Sequence, residues 1–338
     1  MKLLLTGGAG YIGSHVLLQL LEAGHDVTVL DSLETGSPVA LERVAALTGR
    51  PAPLLQGDIR DEALLERAFA SGGFEAVMHF AGLKSVSESV AEPLRYYDCN
   101  FSGTLALVRA MRRHGTSRLV FSSTAAVYGE QAQMPVTEES PLAPAASPYG
   151  RSKRMVEQAL EDMAAANPAL SVAILRYFNP AGAHPSGQIG EAPNGPPANL
   201  IPFVAQVAAG QRKQVSVFGD DYPTRDGTGI RDYIHVMDLA EGHLAALKHI
   251  MGRCGAQIWN LGTGRGASVA EILAAFGRIA GYDLPYEIAP RRPGDLAQCW
   301  ADPARARADL GWQARFGLEE MLADHWRWQQ MNPHGYGT

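Results

Sequence analysis

Two residues four positions apart, Tyr149 and Lys153, could move a proton during the oxidation of an alcohol. Residues at this spacing share one face of a helix. A tyrosine pKa of about 10 makes a poor base at neutral pH, and lowering it by about three requires about 4 kcal/mol of preferential phenolate stabilisation. A lysine ammonium one turn away supplies a field of the right sign. The spacing alone also fits an exposed Tyr/Lys pair with no chemistry.

A hydroxyl adds to this pair. Thr124 follows the apolar run Arg118 to Ser122, which predicts a strand, so its side chain should lie at that strand's carboxyl end. A hydroxyl, a phenol and an ammonium that converge beside a dinucleotide form a proton-handling set for carbinol oxidation.

A glycine-rich turn supplies the dinucleotide site. Gly7, Gly10 and Gly13 follow the apolar strand Lys2 to Leu5 and open a helical pattern that continues to Ala23. The three glycines allow a tight turn, close approach of a pyrophosphate to the helix N-terminus, and close packing of helix and strand. A tight turn without a ligand is the alternative interpretation.

The next strand indicates which dinucleotide is bound. Asp31 ends that strand, where it can accept hydrogen bonds from an adenosine ribose and repel a 2′-phosphate, so we expect NAD rather than NADP. Its alternative role is a solvated turn carboxylate. Two further strand ends should reach the cofactor, at residues 57–59 and 80–84, and Asp58 could receive the adenine amino group. The predicted NAD-binding residues are Gly7, Gly10, Tyr11, Ile12, Gly13, Asp31, Ser32, Asp58, Ile59, Phe80, Ala81, Gly82, Lys84, Thr124, Tyr149, Lys153, Tyr177 and Phe178.

The elements that must position these residues alternate between apolar runs and amphipathic stretches, which is typical of a parallel sheet with crossover helices. We predict a doubly wound α/β (Rossmann) domain over residues 1–180, with some later segments returning to it, and a smaller mixed α/β substrate domain over residues 181–338. The predicted strands are Lys2 to Leu5, Asp26 to Leu30, Pro53 to Gln56, Ala76 to Phe80, Arg118 to Ser122 and Val172 to Arg176.

Composition excludes several other classes of protein. A net charge of −6 and a pI near 5.9 give no general attraction for nucleic acid or anionic lipid. The sequence contains no apolar run of about twenty residues, so we predict no membrane span. The three cysteines, Cys99, Cys254 and Cys299, are odd in number and widely spaced, which favours the reducing cytoplasm. The ten histidines, His235 among them, lack a metal-binding pattern, so we expect no metal.

The glycine turn, the Tyr149-x-x-x-Lys153 pair and the hydroxyl at position 124 resemble the extended short-chain dehydrogenase/reductase family. Residues 175–180 (LRYFNP), 231–236 (RDYIHV), 291–295 (RRPGD) and 326–328 (WRW) are similar to the UDP-glucose/UDP-galactose 4-epimerases of that family, and the similarity covers nearly the whole chain. The resemblance implies that Tyr149 takes the proton of the sugar 4-hydroxyl while the C4 hydride passes to tightly held NAD. The 4-keto sugar then turns over and receives the hydride on its other face. Lys153 would bind the nicotinamide ribose and Thr124 the 4-oxygen.

The resemblance also implies how a UDP-hexose is held. Arg231 and Arg292 suit the diphosphate, Asp295 suits a ribose or uridine donor, and residues 216–218 flank the uracil. Each arginine could instead be a surface charge or part of a structural salt bridge. The implied substrate residues are Thr124, Tyr149, Phe178, Asn179, Asn199, Ser216, Val217, Phe218, Arg231, Arg292, Asp295 and Cys299.

Three positions depart from the family pattern. Thr124 replaces a frequent serine and keeps the hydroxyl. Cys99 stands where an asparagine commonly contacts NAD, although Asn100 follows it, so that contact stays open. Cys299 replaces the bulky tyrosine of the narrower epimerases, and the smaller side chain leads us to expect that UDP-GlcNAc and UDP-GalNAc are also interconverted.

Other functions remain as alternatives. A nucleotide-sugar 4,6-dehydratase would carry Asp-Glu directly after the hydroxyl residue, where this chain has Ala125 and Ala126. A UDP-uronate epimerase or decarboxylase would need an extra cation for a C6 carboxylate. An NAD-sensing protein without catalysis would have no reason to keep Tyr149, Lys153 and Thr124 together. In the family, helices resembling residues 101–114 and 149–166 pair into a homodimer, although their apolar positions could equally be intramolecular core.

Overall fold

A seven-stranded parallel sheet forms the centre of the computed structural model, which describes residues 1–131, 133–192, 195, 197, 199–292 and 295–337. Its strands are β1 (Lys2–Thr6), β2 (Asp26–Asp31), β3 (Leu54–Gln56), β4 (Ala76–His79), β5 (Arg118–Thr124), β6 (Ser171–Tyr177) and β10 (Gly255–Leu261). Their order across the sheet is β10-β6-β5-β4-β1-β2-β3. The predicted doubly wound α/β fold is therefore confirmed.

Helices cover both faces of this sheet, which explains why its strands read as continuous apolar runs. Leu3, Leu4 and Leu5 of β1 are all fully buried, Leu4 against one face of helices and its two neighbours against the other. The helices of this part are α1 (Tyr11–Glu22), α2 (Pro38–Thr48), α3 (Glu62–Gly72), α4 (Val86–Ala91), α5 (Pro93–Tyr96), α6 (Gly103–Arg113), α7 (Pro148–Ala166) and α9 (Val236–Ile250), with a π-helix (Tyr97–Ser102) before α6 and a 3₁₀ helix (Ala125–Tyr128) after β5.

Smaller sheets and helices make up most of the remaining chain. Strands β7 (Asn179–Ala181), β9 (Ile230–His235), β11 (Gly266–Ser268) and β13 (Gln298–Cys299) form one sheet, and β8 (Val215–Phe218) pairs with β12 (Tyr286–Ala289). Helices α8 (Leu200–Ala208), α10 (Val269–Ala280), α11 (Ala304–Leu310) and α12 (Leu318–Met331) complete the chain. Strand β10 follows residue 180 in sequence but belongs to the large sheet. The domain boundary near residue 180 therefore stays a prediction, and it concerns most of the second domain rather than all of it.

The strand order reverses between β1 and β4, since β2 and β3 lie on one side of β1 while β4, β5 and β6 lie on the other. Loops that leave the carboxyl ends of β1 and β4 diverge there and open a crevice for a ligand. None of the helices in the described ranges is both long and apolar enough to cross a membrane.

Candidate active site

A single cleft of about 1830 Å³ runs along the carboxyl edge of the large sheet and into the smaller sheets. It exceeds the roughly 300–1,000 Å³ of a pocket for one small ligand. The structure brings 24 of the predicted residues into its lining: Gly7, Gly10, Tyr11, Ile12, Gly13, Asp31, Ser32, Asp58, Ile59, Phe80, Ala81, Gly82, Lys84, Thr124, Tyr149, Lys153, Tyr177, Phe178, Asn179, Asn199, Arg231, Arg292, Asp295 and Cys299.

The glycine turn is built for close approach. Gly7 adopts a positive φ of 75°, and a Cβ placed on Gly13 would lie 2.1 Å from the Gly7 carbonyl oxygen. Helix α1 begins directly after Gly10, and no side chain caps its first backbone N–H groups. An uncapped helix N-terminus with a glycine surface suits a pyrophosphate, so this part of the cleft fits a dinucleotide.

Asp31 anchors the loop that follows β2. Its carboxylate accepts hydrogen bonds from the backbone N–H of Ala9 and of Leu33, both at 2.9 Å. Leu33 has a positive φ of 62°, a conformation that side chains disfavour and that the Asp31 contact helps to hold. Burial raises the pKa of Asp31 above its ordinary value, and the two backbone hydrogen bonds offset part of that rise.

Two other cofactor-side loops are held by side chains. The Asp58 carboxylate forms an ion pair with Arg60 at 2.6 Å. Asn100, which is buried, accepts a hydrogen bond from the Leu83 N–H at 2.8 Å and donates one to the Leu83 carbonyl at 3.0 Å. Asn100 thus fixes the loop between Gly82 and Lys84, whereas Cys99 lines the cleft.

The three residues predicted to handle protons lie together. Ser147 caps α7 by accepting a hydrogen bond from the Gly150 N–H at 3.2 Å, which places Tyr149 in the first helical turn. Tyr149 and Thr124, at the end of β5, line the same cleft, and the Thr124 hydroxyl lies near enough to act on the pKa of the phenol. Lys153 Nζ donates to the Ser122 carbonyl oxygen at 2.8 Å and lies 4.7 Å from the centre of the Phe121 ring.

The charges of this set are controlled by burial. Burial raises the pKa of the Tyr149 phenol, and the Thr124 hydroxyl offsets part of the rise. Burial also lowers the pKa of Lys153 to about 8, while Cys99 and Glu157 act in the opposite direction. The protein alone therefore keeps the phenol protonated, and a cationic group bound beside it must supply the additional field that the sequence argument requires.

The substrate side of the cleft carries the predicted cations. Arg231 Nη2 lies 3.2 Å from Asp295 Oδ1, so these two predicted residues form an ion pair. The Arg292 guanidinium lies 3.7 Å from the centre of the Phe218 ring. Pro293 and Gly294, quoted above within the sequence motif at 291–295, lie outside the described residues.

The three residues predicted to flank a uracil lie on β8 and do not line the cleft. Val217 is buried in the core of the smaller domain, and the Ser216 hydroxyl donates to Glu287 at 3.1 Å. Phe218 stacks with Arg292, which does line the cleft. Their contact with a nucleotide remains a prediction.

Cys299 forms part of an apolar wall. It is paired with Arg231 in the register of β13 and β9, and it packs in a buried cluster with Phe178 and Tyr128. Asn179, which also lines the cleft, begins β7. The wall at Cys299 is thus a short thiol rather than a ring.

Two acidic residues were missed by the sequence reasoning. Glu191 lines the cleft and accepts hydrogen bonds from Lys84 Nζ at 2.9 Å and Asn199 Nδ2 at 3.1 Å. Buried Asp232 accepts hydrogen bonds from the Thr263, Gly264 and Ala301 backbone N–H groups and so ties two segments of the chain to β9. Both contacts span long stretches of sequence, so no local pattern reveals them.

His235 caps helix α9, because its Nδ1 accepts a hydrogen bond from the Met237 N–H at 3.0 Å, and its Nε2 lies 3.3 Å from Asp324. These partners account for both ring nitrogens. Among the residues with described positions, no group of three or more His, Cys, Asp or Glu side chains is arranged to hold a metal ion.

Comparison with known proteins identifies the family of the chain. Residues 3–262 match the model of the NAD dependent epimerase/dehydratase family. The UDP-glucose 4-epimerase of Bacillus subtilis is 55% identical over 336 residues, covering 99% of both chains. The UDP-glucose 4-epimerase of Bifidobacterium longum, solved with NAD+ and UDP, is 51% identical with a TM-score of 0.96, covering 99% of this chain and 100% of that one. The UDP-Glc/GlcNAc 4-epimerase of Campylobacter jejuni is 41% identical with a TM-score of 0.85, covering 98% and 99%.

Proposed function

The chain belongs to the NAD-dependent epimerase/dehydratase family, and on that premise we propose that it interconverts UDP-glucose and UDP-galactose by inverting C4. It is an isomerase that uses NAD. The observation that carries this conclusion is the convergence of Tyr149, Thr124 and Lys153 in one cleft that continues from the glycine turn to Arg231.

When bound, NAD supplies an acceptor for the C4 hydride and later returns that hydride. The residues that would hold it are the glycine turn at its pyrophosphate, Asp31 at the adenosine ribose and Lys153 at the nicotinamide ribose. The uncapped N-terminus of α1 and the buried carboxylate of Asp31 fit these roles.

The chain's own residues handle the proton and the sugar. Tyr149 takes the proton of the 4-hydroxyl while Thr124 holds the oxygen, and the nearby Lys153 ammonium stabilises negative charge on the phenol. The intermediate 4-keto sugar must rotate before the hydride returns, so tight contacts belong on UDP rather than on hexose. Arg231, Arg292 and Asp295 provide such contacts at one end of the cleft, whereas Cys299 and Phe178 offer the hexose an apolar wall.

Side chains that the rival reactions would need are not found in the described part of the cleft. Ala125 and Ala126 occupy the positions where a 4,6-dehydratase would need an acid and a base, and both line the cleft. A UDP-uronate epimerase would need a free cation near C6, yet Lys84 is paired with Glu191 and Arg231 with Asp295. A non-catalytic NAD sensor has no use for Tyr149, Thr124 and Lys153 together in one cleft.

One experiment tests reaction, substrate and cofactor together. Purified protein is incubated with UDP-galactose without added NAD, and UDP-glucose is measured by chromatography. Formation of UDP-glucose is expected. A protein that holds NAD but yields no UDP-glucose would favour the sensor, and one that yields a 4-keto-6-deoxy product would favour the dehydratase.

The short side chain at Cys299 supports a broader substrate range. Because this thiol replaces a ring in the wall beside the hexose, we propose that a 2-acetamido group fits and that UDP-GlcNAc and UDP-GalNAc are interconverted. The test compares turnover of UDP-GalNAc and UDP-galactose before and after Cys299→Tyr. The substitution should abolish the first and spare the second, and a wild-type protein inert toward UDP-GalNAc ends this extension.

We further propose that the enzyme is a cytoplasmic homodimer. The cytoplasm is supported by three unpaired cysteines. A dimer face is supported by exposed apolar side chains on adjacent helices, with Leu94 of α5 79% exposed and Met155 of α7 43% exposed. Sedimentation of the wild type against the Leu94→Glu/Met155→Glu variant tests the second part. The wild type should sediment as a dimer and the variant as a monomer.

A further inference from the structure

Behind the catalytic residues lies a buried ion pair that the reaction as described does not use. Glu157 and Arg176 have side chains only 2% and 3% exposed, and Arg176 Nη2 lies 2.7 Å from Glu157 Oε2. Arg176 Nε adds bonds of 3.0 and 3.2 Å to the two carboxylate oxygens. The Ser123 hydroxyl donates a further hydrogen bond to Glu157.

This network joins one helix and two strands at defined positions along the sheet. Glu157 belongs to α7, Ser123 to β5 and Arg176 to β6, and the last two are direct partners in the register of the sheet. Ser123 immediately precedes Thr124, and Arg176 immediately precedes Tyr177, which also lines the cleft. The network is therefore attached one residue away from the site on both strands.

On the helix, the same carboxylate continues the catalytic face. Tyr149, Lys153 and Glu157 follow at intervals of four residues and share one side of α7. A buried ion pair is a weak source of stability, since desolvation of two charges offsets much of their attraction, so its retention here calls for another role.

We propose that Glu157 is a positioning residue. With Arg176 and Ser123 it fixes the position of α7 along strands β5 and β6, so that Tyr149 and Lys153 meet Thr124. Its negative charge also stabilises the Lys153 ammonium. The proposal rests on the proposed function for its kinetic part. The charge effect has its own readout and does not.

The groups that surround the Lys153 amine single out this carboxylate. Burial lowers the pKa of His79 to about 3 and raises that of Cys99, so at neutral pH both are uncharged. Within the described residues the Lys153 amine interacts electrostatically with His79 from β4, Cys99 from the π-helix and Glu157 from α7. Glu157 supplies the negative charge of this set, and its ion-pair partner Arg176 lies on β6.

The test replaces both members of the pair, because Glu157→Gln alone would leave Arg176 buried without a counter-charge. Removal of a whole buried ion pair is often tolerated, so the Glu157→Gln/Arg176→Met variant should fold with a Tm near that of the wild type. Its kcat should fall about tenfold or more from misplacement of the catalytic face. The alkaline limb of the kcat profile should stay near that of the wild type, because this variant removes one negative and one positive charge together. KM and NAD content should stay near wild type.

A titration that needs no turnover separates the two proposals. NMR of lysine-labelled protein should show the Lys153 Cε signal titrating at lower pH in Glu157→Gln, which removes the negative charge alone, than in the wild type or the double variant. Glu161→Gln, which removes an exposed carboxylate one turn further along α7, serves as the matched control and should match the wild type.

If the double variant does not fold, Glu157→Asp keeps the charge and shifts its position, and it should lower kcat without moving the alkaline limb. Wild-type kcat in the double variant or in Glu157→Asp, or an unmoved Lys153 titration in Glu157→Gln, overturns the proposal. Absence of epimerase activity in the wild type refutes the proposed function instead.

Discussion

The Tyr149 phenol, in the first turn of α7, and the Thr124 hydroxyl, at the end of β5, line the same cleft, and the hydroxyl lowers the pKa of the phenol against the effect of burial. The Thr124 side chain accepts a hydrogen bond from the Ala126 N–H at 3.2 Å, which fixes its orientation. A sugar hydroxyl placed between them would have a proton acceptor on one side and a fixed hydroxyl on the other, which is the arrangement that alcohol oxidation needs.

Tyr149→Phe should therefore lower kcat by about 10²–10⁴-fold, the usual contribution of a positioned acid or base. Thr124→Ser keeps the hydroxyl and should stay within a few-fold of the wild type, whereas Thr124→Val removes it and should not. Turnover of UDP-galactose measures kcat, and bound NAD released by acid confirms that each variant keeps its cofactor. Equal turnover in the wild type and Tyr149→Phe would remove the phenol from the mechanism.

The Lys153 amine predicts an alkaline limit to activity. Its pKa is lowered to about 8 by burial, so the ammonium is lost as the pH rises through that value and kcat/KM of the free enzyme should fall. Lys153→Arg stays charged at all accessible pH values and should lack this limb, even with lower activity. A pH–rate profile of both proteins provides the measurement, and an identical alkaline limb in each contradicts the assignment.

The loss of the Lys153 proton, which should lower activity, should raise the free energy of unfolding. Between about pH 8 and 10.5 the unfolded chain binds the lysine proton while the folded chain has released it. Because the free energy of unfolding rises with pH wherever the unfolded state binds more protons, the Lys153 contribution should grow across this window. Urea denaturation of the wild type and Lys153→Met at pH 7.5 and 9.5 should show the gain in the wild type alone.

Asp31 should control retention of NAD. Asp31→Ala removes the ribose acceptor and the anchor for the Ala9 and Leu33 backbone, so purified protein should contain much less NAD. Burial raises the Asp31 pKa, so NAD should be released on acidification at a higher pH than an ordinary aspartate would allow. Asp26→Ala changes an exposed carboxylate at the start of the same strand and is the matched control. Full NAD content in Asp31→Ala would disprove the role.

Much of this site follows from local sequence, because its parts are strand ends. The leucines of β1, the glycine turn and the end of β5 each carry their signal within a few residues, and parallel pairing brings those ends to one edge. Strand β10 was not predicted, since its first four residues are half-buried and give no clear apolar run.

Other parts depend on contacts that no local pattern records. Glu191 lies 107 positions from its partner Lys84, and Asp232 reaches loops beyond residue 262. The assignment of residues 216–218 to the nucleotide came from resemblance, and the alternating burial of β8 instead turns Val217 into the core. Long-range packing decides these roles.

Arg231 should act on binding rather than on chemistry. It is held by Asp295, and we expect it to bind the diphosphate rather than the reacting carbon, so its contact with substrate should be equally strong in ground and transition states. Loss of a charged hydrogen bond of about 1.5–3 kcal/mol predicts that Arg231→Gln raises KM by about 10–150-fold with little change in kcat. Arg278→Gln breaks an exposed ion pair with Glu319 and should leave KM unchanged. A drop in kcat at unchanged KM would assign Arg231 to the chemical step.

Glu191 joins the two sides of the cleft, because one nearly buried carboxylate holds Lys84 from the cofactor side and Asn199 from the start of α8. Glu191→Ala should leave both partners free, and both NAD content and the affinity for UDP, measured by calorimetry, should fall. Lys84 is 60% exposed, so solvent screening limits the pair to about 1 kcal/mol or less in a double-mutant cycle with Lys84→Met. Lys2→Met removes another exposed lysine as a control and should add independently to Glu191→Ala. If Glu191→Ala lowered NAD content while UDP affinity stayed at the wild-type value, the carboxylate would serve the cofactor loop alone, and the link across the cleft through Asn199 would be disproved.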